Sequence, residues 1–374
     1  MKWVRMLRQL LRRREDTLIE IRIRREALLN NYNLFATTYR TPIAPVLKSN
    51  AYGHGLVEVA EAFARVAPLL VVDSLYEAQL LRRSGIRTRL LVVGYTRPEA
   101  VARAHLRDVA FTVTSLEGLH AFLGRGVSAP VHIKLDTGMR RQGIMSSESE
   151  EAMRIVKEGR MQLEGICSHF ADADGETDEF TRGQIARWNE VVSNWRAAFP
   201  SIRYTHIAAS AGTAFGSDID ANLARVGTGL YGFPRHASQT FGLMPALSMH
   251  TVITGVKDLA PGESVGYNIT FTAEKSMRVA TVPVGYFEGV DRRLSNKGSM
   301  LIGGIACPLI GRVSMNIATI DVSACPSARL ETPVVVFSDV PDDPNSLLNL
   351  AAICDTTPLE LLVHIPQHLR RVVV

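Results

Sequence analysis

Cysteine is scarce in this chain, and the four cysteines present are far apart. They stand at positions 167, 307, 325 and 354 of a 374-residue sequence, and no two of them form a C-x-x-C pair. Wide spacing of this kind argues against a zinc knuckle and fits a reducing compartment. We therefore expect ordinary buried thiols, no bound metal and a cytoplasmic protein.

Long apolar runs are missing as well. No segment approaches the roughly 18 to 20 apolar residues of a transmembrane helix. Arginines interrupt the N-terminal stretch throughout, so it does not read as a signal peptide. With 46% hydrophobic and 21% charged residues, the composition is that of a soluble globular protein. The chain is too long for one ordinary core, so we expect two domains.

Positive charge is concentrated at the N-terminus. Residues 1–25 contain nine basic and three acidic residues, a net +6, so the other 349 residues carry −1 of the total +5. The body of the protein is therefore not a basic surface for nucleic acid. We interpret residues 1–17 as a basic extension with an apolar stripe. It could be an amphipathic helix on a membrane or partner, but we favour a solvated or loosely docked helix.

Residues 43 to 230 alternate short β-rich runs with helical segments of apolar period near 3.6, which is the pattern of consecutive βα units. One helix start, at Ser74 to Glu77, has the sequence of a capping box. Eight strands can be counted, so we predict a (β/α)8 TIM-type barrel over residues 25–240. The candidates are Ile43–Lys48, Leu69–Asp73, Leu90–Val93, Ala110–Val113, Val131–Asp136, Leu163–His169, Arg203–Ile207 and Leu223–Val226.

Beyond residue 240 the pattern changes to strands punctuated by glycine and proline, so we predict a β-rich domain over residues 241–374. One helical segment is expected, at Ser346–Cys354. Residues 18–24 alternate apolar and charged side chains and are predicted to form a strand that joins this second domain. Its own strand candidates are Met249–Val256, Met277–Val284, Ser299–Ile305, Pro308–Val313, Ile317–Val322 and Pro333–Phe337.

Active sites of such barrels lie at the C-terminal ends of the strands, and the first strand ends at Lys48. An amine in this place can be withdrawn from water, which suits it to Schiff-base chemistry. By position alone, a surface lysine that caps the strand is the better interpretation. The surrounding sequence overturns it, because residues 48–55 read KSNAYGHG. This string resembles the K-x-N-A-Y-G-H-G signature of the alanine racemase family.

The resemblance continues in the same order from about residue 18 to residue 322. It implies a pyridoxal-5'-phosphate-dependent isomerase that interconverts L- and D-alanine, built as a cofactor-bearing barrel followed by a β domain. It also implies a head-to-tail homodimer and a role in making D-alanine as a peptidoglycan precursor. Racemisation needs an acid/base group on each face of Cα. The resemblance assigns one face to Lys48 and the other to Tyr267, from the partner subunit, within the family-like segment VGYNITF at residues 265–271.

The same resemblance assigns the other site residues. In this reading Arg141 contacts the cofactor ring oxygen and the substrate carboxylate, and His169 supports Arg225, which faces the pyridine nitrogen. An always-protonated guanidinium there leaves that nitrogen unprotonated and restrains the cofactor as an electron sink. The remaining assignments are phosphate binding by Tyr52, Ser210, Gly227 and Thr228, the substrate carboxylate on the Met315 amide, and an entrance tyrosine at Tyr286.

Lys134 matches a lysine that is carbamylated in some family members, where the added negative charge would hold Arg141. A simple pair between Lys134 and Asp136 is the alternative, and the sequence leaves both open.

Three positions depart from the usual family pattern. Ala209 stands where an asparagine precedes the phosphate serine, and Asn316 stands where aspartate is usual. Leu359 aligns with a tyrosine that touches the phosphate and narrows the pocket. A leucine there would leave room for side chains larger than methyl. The alternative hypothesis is therefore a racemase of broader specificity, acting on serine or larger amino acids.

Other classes remain as rivals. A barrel-type decarboxylase or a small cofactor-carrier barrel would also use pyridoxal phosphate, but the chain lacks a Gly-Gly-Gly phosphate loop and has an extra β domain. A metal-dependent hydrolase barrel is suggested by four histidines near strand ends, although a His-x-His pair on the first strand is missing. The four histidines near strand ends are His54, His132, His169 and His206. A non-catalytic binding module would have no use for two opposed acid/base groups.

Overall fold

The computed structural model describes residues 17–236, 238–239 and 242–374. Almost all of the predicted basic extension at residues 1–17 lies outside these ranges. The chain divides into two compact units. The barrel unit is Arg24–Ala246 with Val373–Val374, and the β-rich unit comprises residues 17–23 and Leu247–Val372.

The barrel unit contains eight parallel strands, which confirms the predicted fold class. They are β2 (Ile43–Pro45), β3 (Leu70–Val72), β4 (Leu90–Val92), β5 (Val109–Val113), β6 (Val131–Asp136), β8 (Leu163–Cys167), β9 (Tyr204–His206) and β10 (Ala224–Val226). Six of them pair in the order β3-β4-β5-β6-β8-β9, and β10 pairs with β2. A bridge between Val46 and Val71 joins β2 to β3.

Two backbone hydrogen bonds close the ring between β9 and β10. The Asn222 amide donates to the Thr205 carbonyl at 3.0 Å, and the Arg225 amide donates to the Ala208 carbonyl at 2.9 Å. The sheet is therefore a closed barrel, whose strands are buried on both faces and read as continuous apolar runs. A two-residue strand, β7 (Ile144–Met145), pairs with the last two residues of β6, Leu135 and Asp136.

One helix of the barrel unit precedes the first barrel strand, and the others lie between successive strands. The helices are α1 (Arg25–Tyr39), α2 (Leu56–Phe63), α3 (Leu75–Arg83), α4 (Pro98–Ala104), α5 (Leu116–Gly124), α6 (Ser149–Glu158) and α7 (Glu179–Ala198). The predicted capping box at the start of α3 is present, because the Ser74 hydroxyl accepts from the Glu77 amide and the Glu77 carboxylate accepts from the Ser74 amide. Within the described ranges, no helix is both long enough and apolar enough to cross a membrane.

The β-rich unit is built from three groups of strands. Its strands are β1 (Glu20–Ile23), β11 (Leu247–Val252), β12 (Gly255–Leu259), β13 (Ser264–Val265), β14 (Phe271–Thr272), β15 (Met277–Val282), β16 (Ser299–Ile302), β17 (Ile305–Pro308), β18 (Ala318–Asp321), β19 (Pro333–Phe337) and β20 (Arg370–Val373). A six-stranded sheet has the order β17-β16-β19-β11-β1-β20, beside a three-stranded sheet β12-β15-β18 and the pair β13-β14. The N-terminal strand β1 pairs with β11, with Glu20 opposite His250 and Ile23 opposite Leu247.

Three predicted strands in this unit differ from the structure, and one of them, Ser299–Ile305, ends at Ile302. The expected strand Met249–Val256 is divided between β11 and β12. The expected strand Pro308–Val313 is wrong, because the strand ends at Pro308 and only Leu309 beyond it makes a bridge, to Ile320. Gly303 and Gly304 both adopt positive φ, so the chain reverses in a two-residue hairpin earlier than hydropathy suggests. Two helices, α8 (Leu347–Ile353) and α9 (Pro358–Val363), follow β19.

Candidate active site

Lys48 lies three residues beyond the end of strand β2, which stops at Pro45 and not at Lys48 as predicted, and it precedes a left-handed turn. The four residues that follow it, Ser49 to Tyr52, all have positive φ between 51° and 57°. Each non-glycine residue in this conformation costs about 1 to 2 kcal/mol relative to the right-handed form. A run of four is therefore strained and must be held by surrounding contacts.

Glu77 and Asn50 supply those contacts. The Glu77 Oε1 atom accepts from the Ser49 amide at 2.8 Å, while Oε2 accepts from the Asp73 amide at 2.7 Å. The Asn50 side chain accepts from the Leu56 amide at 3.0 Å, which ties the turn to helix α2. The capping-box glutamate thus also fixes the backbone next to Lys48, a role that the sequence pattern did not reveal.

Arg225, on β10, is buried with its terminal nitrogens engaged by protein acceptors. Its Nη1 donates to Nδ1 of His206 and to the His206 carbonyl, and its Nη2 donates to the carbonyls of Ser168 and Ile207 and to His169 Nδ1. No residue in the described part of the chain accepts from its Nε–H. Of the five guanidinium N–H groups, one is therefore left for an acceptor within the site.

His169 is surrounded by cations. Burial lowers its pKa to about 3, with further lowering by Arg225, Lys134, Arg141 and Lys48 in that order. The imidazole is therefore neutral at physiological pH and accepts from Arg225 at 3.1 Å. The structure thus brings together five residues that the sequence analysis had assigned to one site.

Lys134 lies 3.4 Å from the amide oxygen of Gln142. Its pKa is lowered, chiefly because it is buried and also because Arg225 and Arg141 are near. The alternative pairing is not formed, since the Asp136 carboxylate instead accepts from the Gly138 amide at 2.8 Å. A lowered pKa increases the neutral amine that carbamylation requires, so carbamylation of Lys134 stays a prediction.

Ser210, Gly227 and Tyr52 form a cradle at the ends of β9 and β10. The Ser210 hydroxyl accepts from the amides of Gly227 and Gly229, both at 3.2 Å. A Cβ atom at Gly227 would lie 2.7 Å from the Tyr52 hydroxyl, so only glycine fits. Clustered hydroxyls and backbone amides after these strands suit a phosphate group. Gly229 makes one of these hydrogen bonds but was not among the predicted residues. Thr228 was predicted, but its side chain does not bond to Ser210.

Two buried histidines behind Arg225 were not predicted as part of this site. His206 contacts His132 through Nε2 and Nδ1 at 2.7 Å, and His132 Nε2 lies 3.7 Å from Glu164 Oε2. Glu164 also pairs with Arg89. In the sequence, His132 and His206 were two of four histidines near strand ends, a pattern that suggested metal ligands. Within the described ranges, no group of three His, Cys, Asp or Glu residues is arranged to hold a metal ion.

The remaining predicted residues belong to the β-rich unit and are exposed on the isolated chain. Tyr267 follows Gly266 in a short 3-10 turn and is 69% exposed, Tyr286 is 44% exposed and Met315 is 55% exposed. Two loops are joined here, since the Tyr286 amide donates to the Ser314 carbonyl and the Phe287 amide donates to the Met315 carbonyl. Tyr286 also lines a cavity of about 380 Å³ with Arg292, His364 and their neighbours.

Asn316, one of the departures from the family pattern, has a partner that accounts for it. Its Nδ2 donates to Oε1 of the buried Glu288 at 2.6 Å, and Glu288 Oε2 accepts from the Gly285 amide at 2.8 Å. An aspartate at 316 would place two carboxylates against each other. The asparagine instead donates a hydrogen bond that joins the loop of Tyr286 to the loop of Met315.

The other two departures are accommodated differently. Beside Ala209, the buried Gln239 donates from Nε2 to the Ser210 carbonyl at 2.5 Å, so an amide from elsewhere in the chain holds the serine. Leu359 lies in the first turn of α9 and is half-buried, and its side chain carries no hydroxyl for a phosphate contact.

Comparison with known proteins places both units in one family. The family described as alanine racemase, N-terminal domain, matches residues 23–234, and alanine racemase, C-terminal domain, matches residues 246–373. Alanine racemase 2 of Oceanobacillus iheyensis is 33% identical over 336 residues, which cover 87% of this chain and 84% of that protein.

Solved structures agree with these matches. The alanine racemase of Bacillus anthracis with bound L-Ala-P has a TM-score of 0.86 at 30% identity and covers 96% of this chain and 95% of its own. The alanine racemase of Bartonella henselae with covalently bound pyridoxal phosphate has a TM-score of 0.83. It is 23% identical and covers 96% of this chain and all of its own, so this likeness concerns the fold.

Proposed function

This chain belongs to the alanine racemase family, and from that premise we propose that it racemises alanine with Lys48 and Tyr267 as its two acid/base residues. The family is pyridoxal-phosphate-dependent, and its members are isomerases. The observation that carries the residue assignment is the set of barrel residues around Lys48. They provide a strained turn that fixes its backbone, a cradle of hydroxyls and backbone amides, and a buried arginine with one free N–H. Family membership also removes the metal-dependent hydrolase from consideration.

The barrel residues fit the cofactor. The hydroxyls of Ser210 and Tyr52, with the backbone amides of Gly227 and Thr228, would hold the phosphate. The Gly227 amide donates to Ser210 Oγ in this structure and would turn to the phosphate. Arg225 would donate from Nε to the pyridine nitrogen. Burial raises the pKa of Tyr52 to about 12, aided by Asp73, so its hydroxyl stays protonated and can donate. When bound, the cofactor supplies an electron sink for the pair left as the Cα–H bond breaks.

The chain's own groups then decide the outcome. Arg225 remains protonated at its Nε and cannot accept a proton, so it keeps the ring nitrogen in its accepting, unprotonated form. This limits electron withdrawal and favours return of the proton to Cα. Lys48 Nζ holds or delivers a proton on one face and Tyr267 Oη on the other, which is what racemisation requires. Met315 would offer its backbone amide, and Arg141 its guanidinium, to the substrate carboxylate.

A homodimer with shared sites is part of the proposal. The β-rich unit exposes aromatic and aliphatic side chains on three loops, and monomeric proteins rarely leave such contiguous apolar patches open to water. Tyr267 is among them, so a second copy that covers the patch would receive this residue at its own site. The exposed side chains are Tyr267, Ile269, Tyr286, Phe287, Met315 and Ile317.

The decisive experiment concerns the lysine. We expect the purified protein to absorb near 420 nm, the region of a lysine-linked pyridoxal chromophore, and to lose that band on borohydride reduction. Peptide mapping should then find the label on Lys48. A label on any other lysine, or activity that survives in both Lys48→Ala and Tyr267→Phe, would defeat the assignment.

Leu359 supports a second candidate, a racemase of wider substrate range. A leucine gives the pocket more room and one hydroxyl fewer than a tyrosine would. Racemisation rates for alanine, serine and a longer amino acid test this, with Leu359→Tyr as the matched variant that should narrow the range. A preference for alanine above a hundredfold in the wild type would reject it.

We also propose a cytoplasmic location and D-alanine production for peptidoglycan. All four cysteines are buried and free of disulfides, which supports a reducing compartment. Loss of D-alanine from the wall precursors of a deletion strain, reversed by added D-alanine, is the expected result.

A further inference from the structure

A row of buried polar side chains extends from Arg225 through His206 and His132 to Glu164 on β8. Arg225 donates to His206 Nδ1, His206 Nε2 meets His132 Nδ1 at 2.7 Å, and His132 Nε2 lies 3.7 Å from Glu164 Oε2. Both imidazoles have no exposed surface, and Glu164 is only 9% exposed. Arg89, in the loop just before β4, pairs with the same carboxylate.

The chemistry of these groups determines where each proton lies. A guanidinium can only donate, so His206 Nδ1 must carry a lone pair and its proton must sit on Nε2. That proton can be accepted only by an unprotonated Nδ1 of His132. His132 then carries its own proton on Nε2, which faces Glu164. Every N–H along this row of side chains therefore points from Arg225 toward Glu164, and two neutral imidazoles lie between one cation and one carboxylate.

The surroundings support this assignment. Burial lowers the pKa of both histidines, and Arg225 lowers it further, so neither ring is charged at physiological pH. Burial acts to raise the pKa of Glu164, but the neighbouring His132, Arg89 and Arg203 outweigh it, and the pKa is lowered. A Cβ at Gly165 would lie 2.7 Å from the His132 ring, so this glycine leaves room for the imidazole.

We propose that Glu164 and His132 are positioning residues for the reaction, and that they orient Arg225 by fixing the tautomer of His206. This inference deepens the proposed function. Without the carboxylate, His132 can hold its proton on Nδ1, which would face the proton on His206 Nε2. His206 would respond by moving its proton to Nδ1, where it opposes an N–H of Arg225. The guanidinium then loses an acceptor and its fixed orientation toward the cofactor ring.

The first test needs no variant and does not depend on activity. Wild-type protein, as purified, is labelled with ¹⁵N-histidine and its imidazole nitrogens are observed by long-range proton–nitrogen correlation. We expect His132 and His206 to be neutral with the proton on Nε2 at every pH from about 6 to 8. A proton on Nδ1 of His206, or a doubly protonated ring at either position, overturns the proposal.

The second test compares Glu164→Gln with Glu158→Gln, which removes a carboxylate from the exposed ion pair with Arg154. We expect Glu164→Gln to mix or reverse the two tautomers and to lower kcat about fivefold, roughly the factor of one net hydrogen bond, with a smaller change in KM. Glu164→Asp should keep the wild-type tautomers, and Glu158→Gln should change nothing.

The outcomes separate the two proposals. Unchanged tautomers in Glu164→Gln reject the positioning role even if its activity falls, since lost activity alone could reflect looser packing. Suppose that the wild type does not racemise amino acids, but that it shows the expected tautomers and Glu164→Gln reverses them. The proposed function then fails, and the assignment of protons along the row of side chains is retained. If the wild type racemises amino acids but lacks the expected tautomers, the positioning role fails and the proposed function stands.

Discussion

Arg225 of the barrel unit is 8% exposed and meets five protein acceptors, whereas Tyr267 of the β-rich unit is 69% exposed. The two residues are assigned to the same reaction, yet one is held in place by its own unit and the other is not enclosed on the isolated chain. The proposed cofactor site is therefore held by contacts within the barrel unit, whereas the proposed second acid/base residue is open to solvent on the isolated chain. The following predictions test that contrast.

The largest expected effects come from the acid/base pair itself. Lys48→Ala should remove both the visible chromophore and racemisation. Tyr267→Phe should keep the chromophore and lose about 10² to 10⁴ in kcat, the usual contribution of one acid/base group. Absorbance spectra and chiral product assays measure the two effects. If Tyr267→Phe also lost the cofactor, the residue would not be separable from the barrel site as proposed.

Mixing these two inactive variants tests whether Tyr267 acts in a second copy. Random exchange of subunits makes half of the dimers mixed, and each mixed dimer has one site with both wild-type residues. Activity should therefore return to about a quarter of the wild-type value per protomer. Each variant incubated alone is the control, and the absence of recovery despite subunit exchange, followed by native mass spectrometry, would mean that both residues act within one chain.

Asn316→Asp should disturb the β-rich unit and leave the barrel intact. Two facing carboxylates raise the pKa of one of them, so the folded-state pKa lies above the unfolded value. The stability loss is then small at low pH and grows as pH rises, reaching about 1 to 3 kcal/mol at neutrality.

The measurements are thermal unfolding across pH and KM for alanine, which should rise because the loops of Tyr286 and Met315 separate. In the double variant with Glu288→Gln, the amide at 288 can donate to the carboxylate at 316, which is the reverse of the wild-type hydrogen bond. This variant should recover most of the lost stability. A double variant no better than Asn316→Asp would contradict this role of the pair.

The smallest effect is expected at Glu77, in the barrel. Glu77→Gln leaves one oxygen for three backbone amides, so we expect a stability loss of about 1 to 2 kcal/mol and weaker cofactor retention from a looser turn at Lys48. Glu99→Gln, at the start of α4 and in a surface pair with Arg125, is the matched control and should be neutral. Equal losses in the two variants would show that the turn does not depend on Glu77.

Much of the fold was predictable because its signals are local. The eight barrel strands are short buried apolar runs separated by helical periodicity, and all eight are found, with β6 at its predicted bounds. The strand after Pro308 was mispredicted because Gly303 and Gly304 turn the chain, and backbone conformation outweighed hydropathy. The site was less predictable wherever function depends on the partner of a residue and not on its type, as with Glu77, Gln239 and Glu164.

The sequence by itself determined the fold class and the family, because the motif around one lysine and the alternation of strand and helix are local features of the chain. It also led to the prediction that Lys48 and Tyr267 are the acid/base pair. Only the tertiary structure decided which side chains from distant parts of the chain contact one another. His132 and Glu164 come to Arg225 from other strands, and Glu288 meets Asn316 from another loop, at separations of tens of residues. Hydrogen-bond direction and burial exist only once those groups are packed together, so the order of protons behind Arg225 could not be derived from the sequence alone.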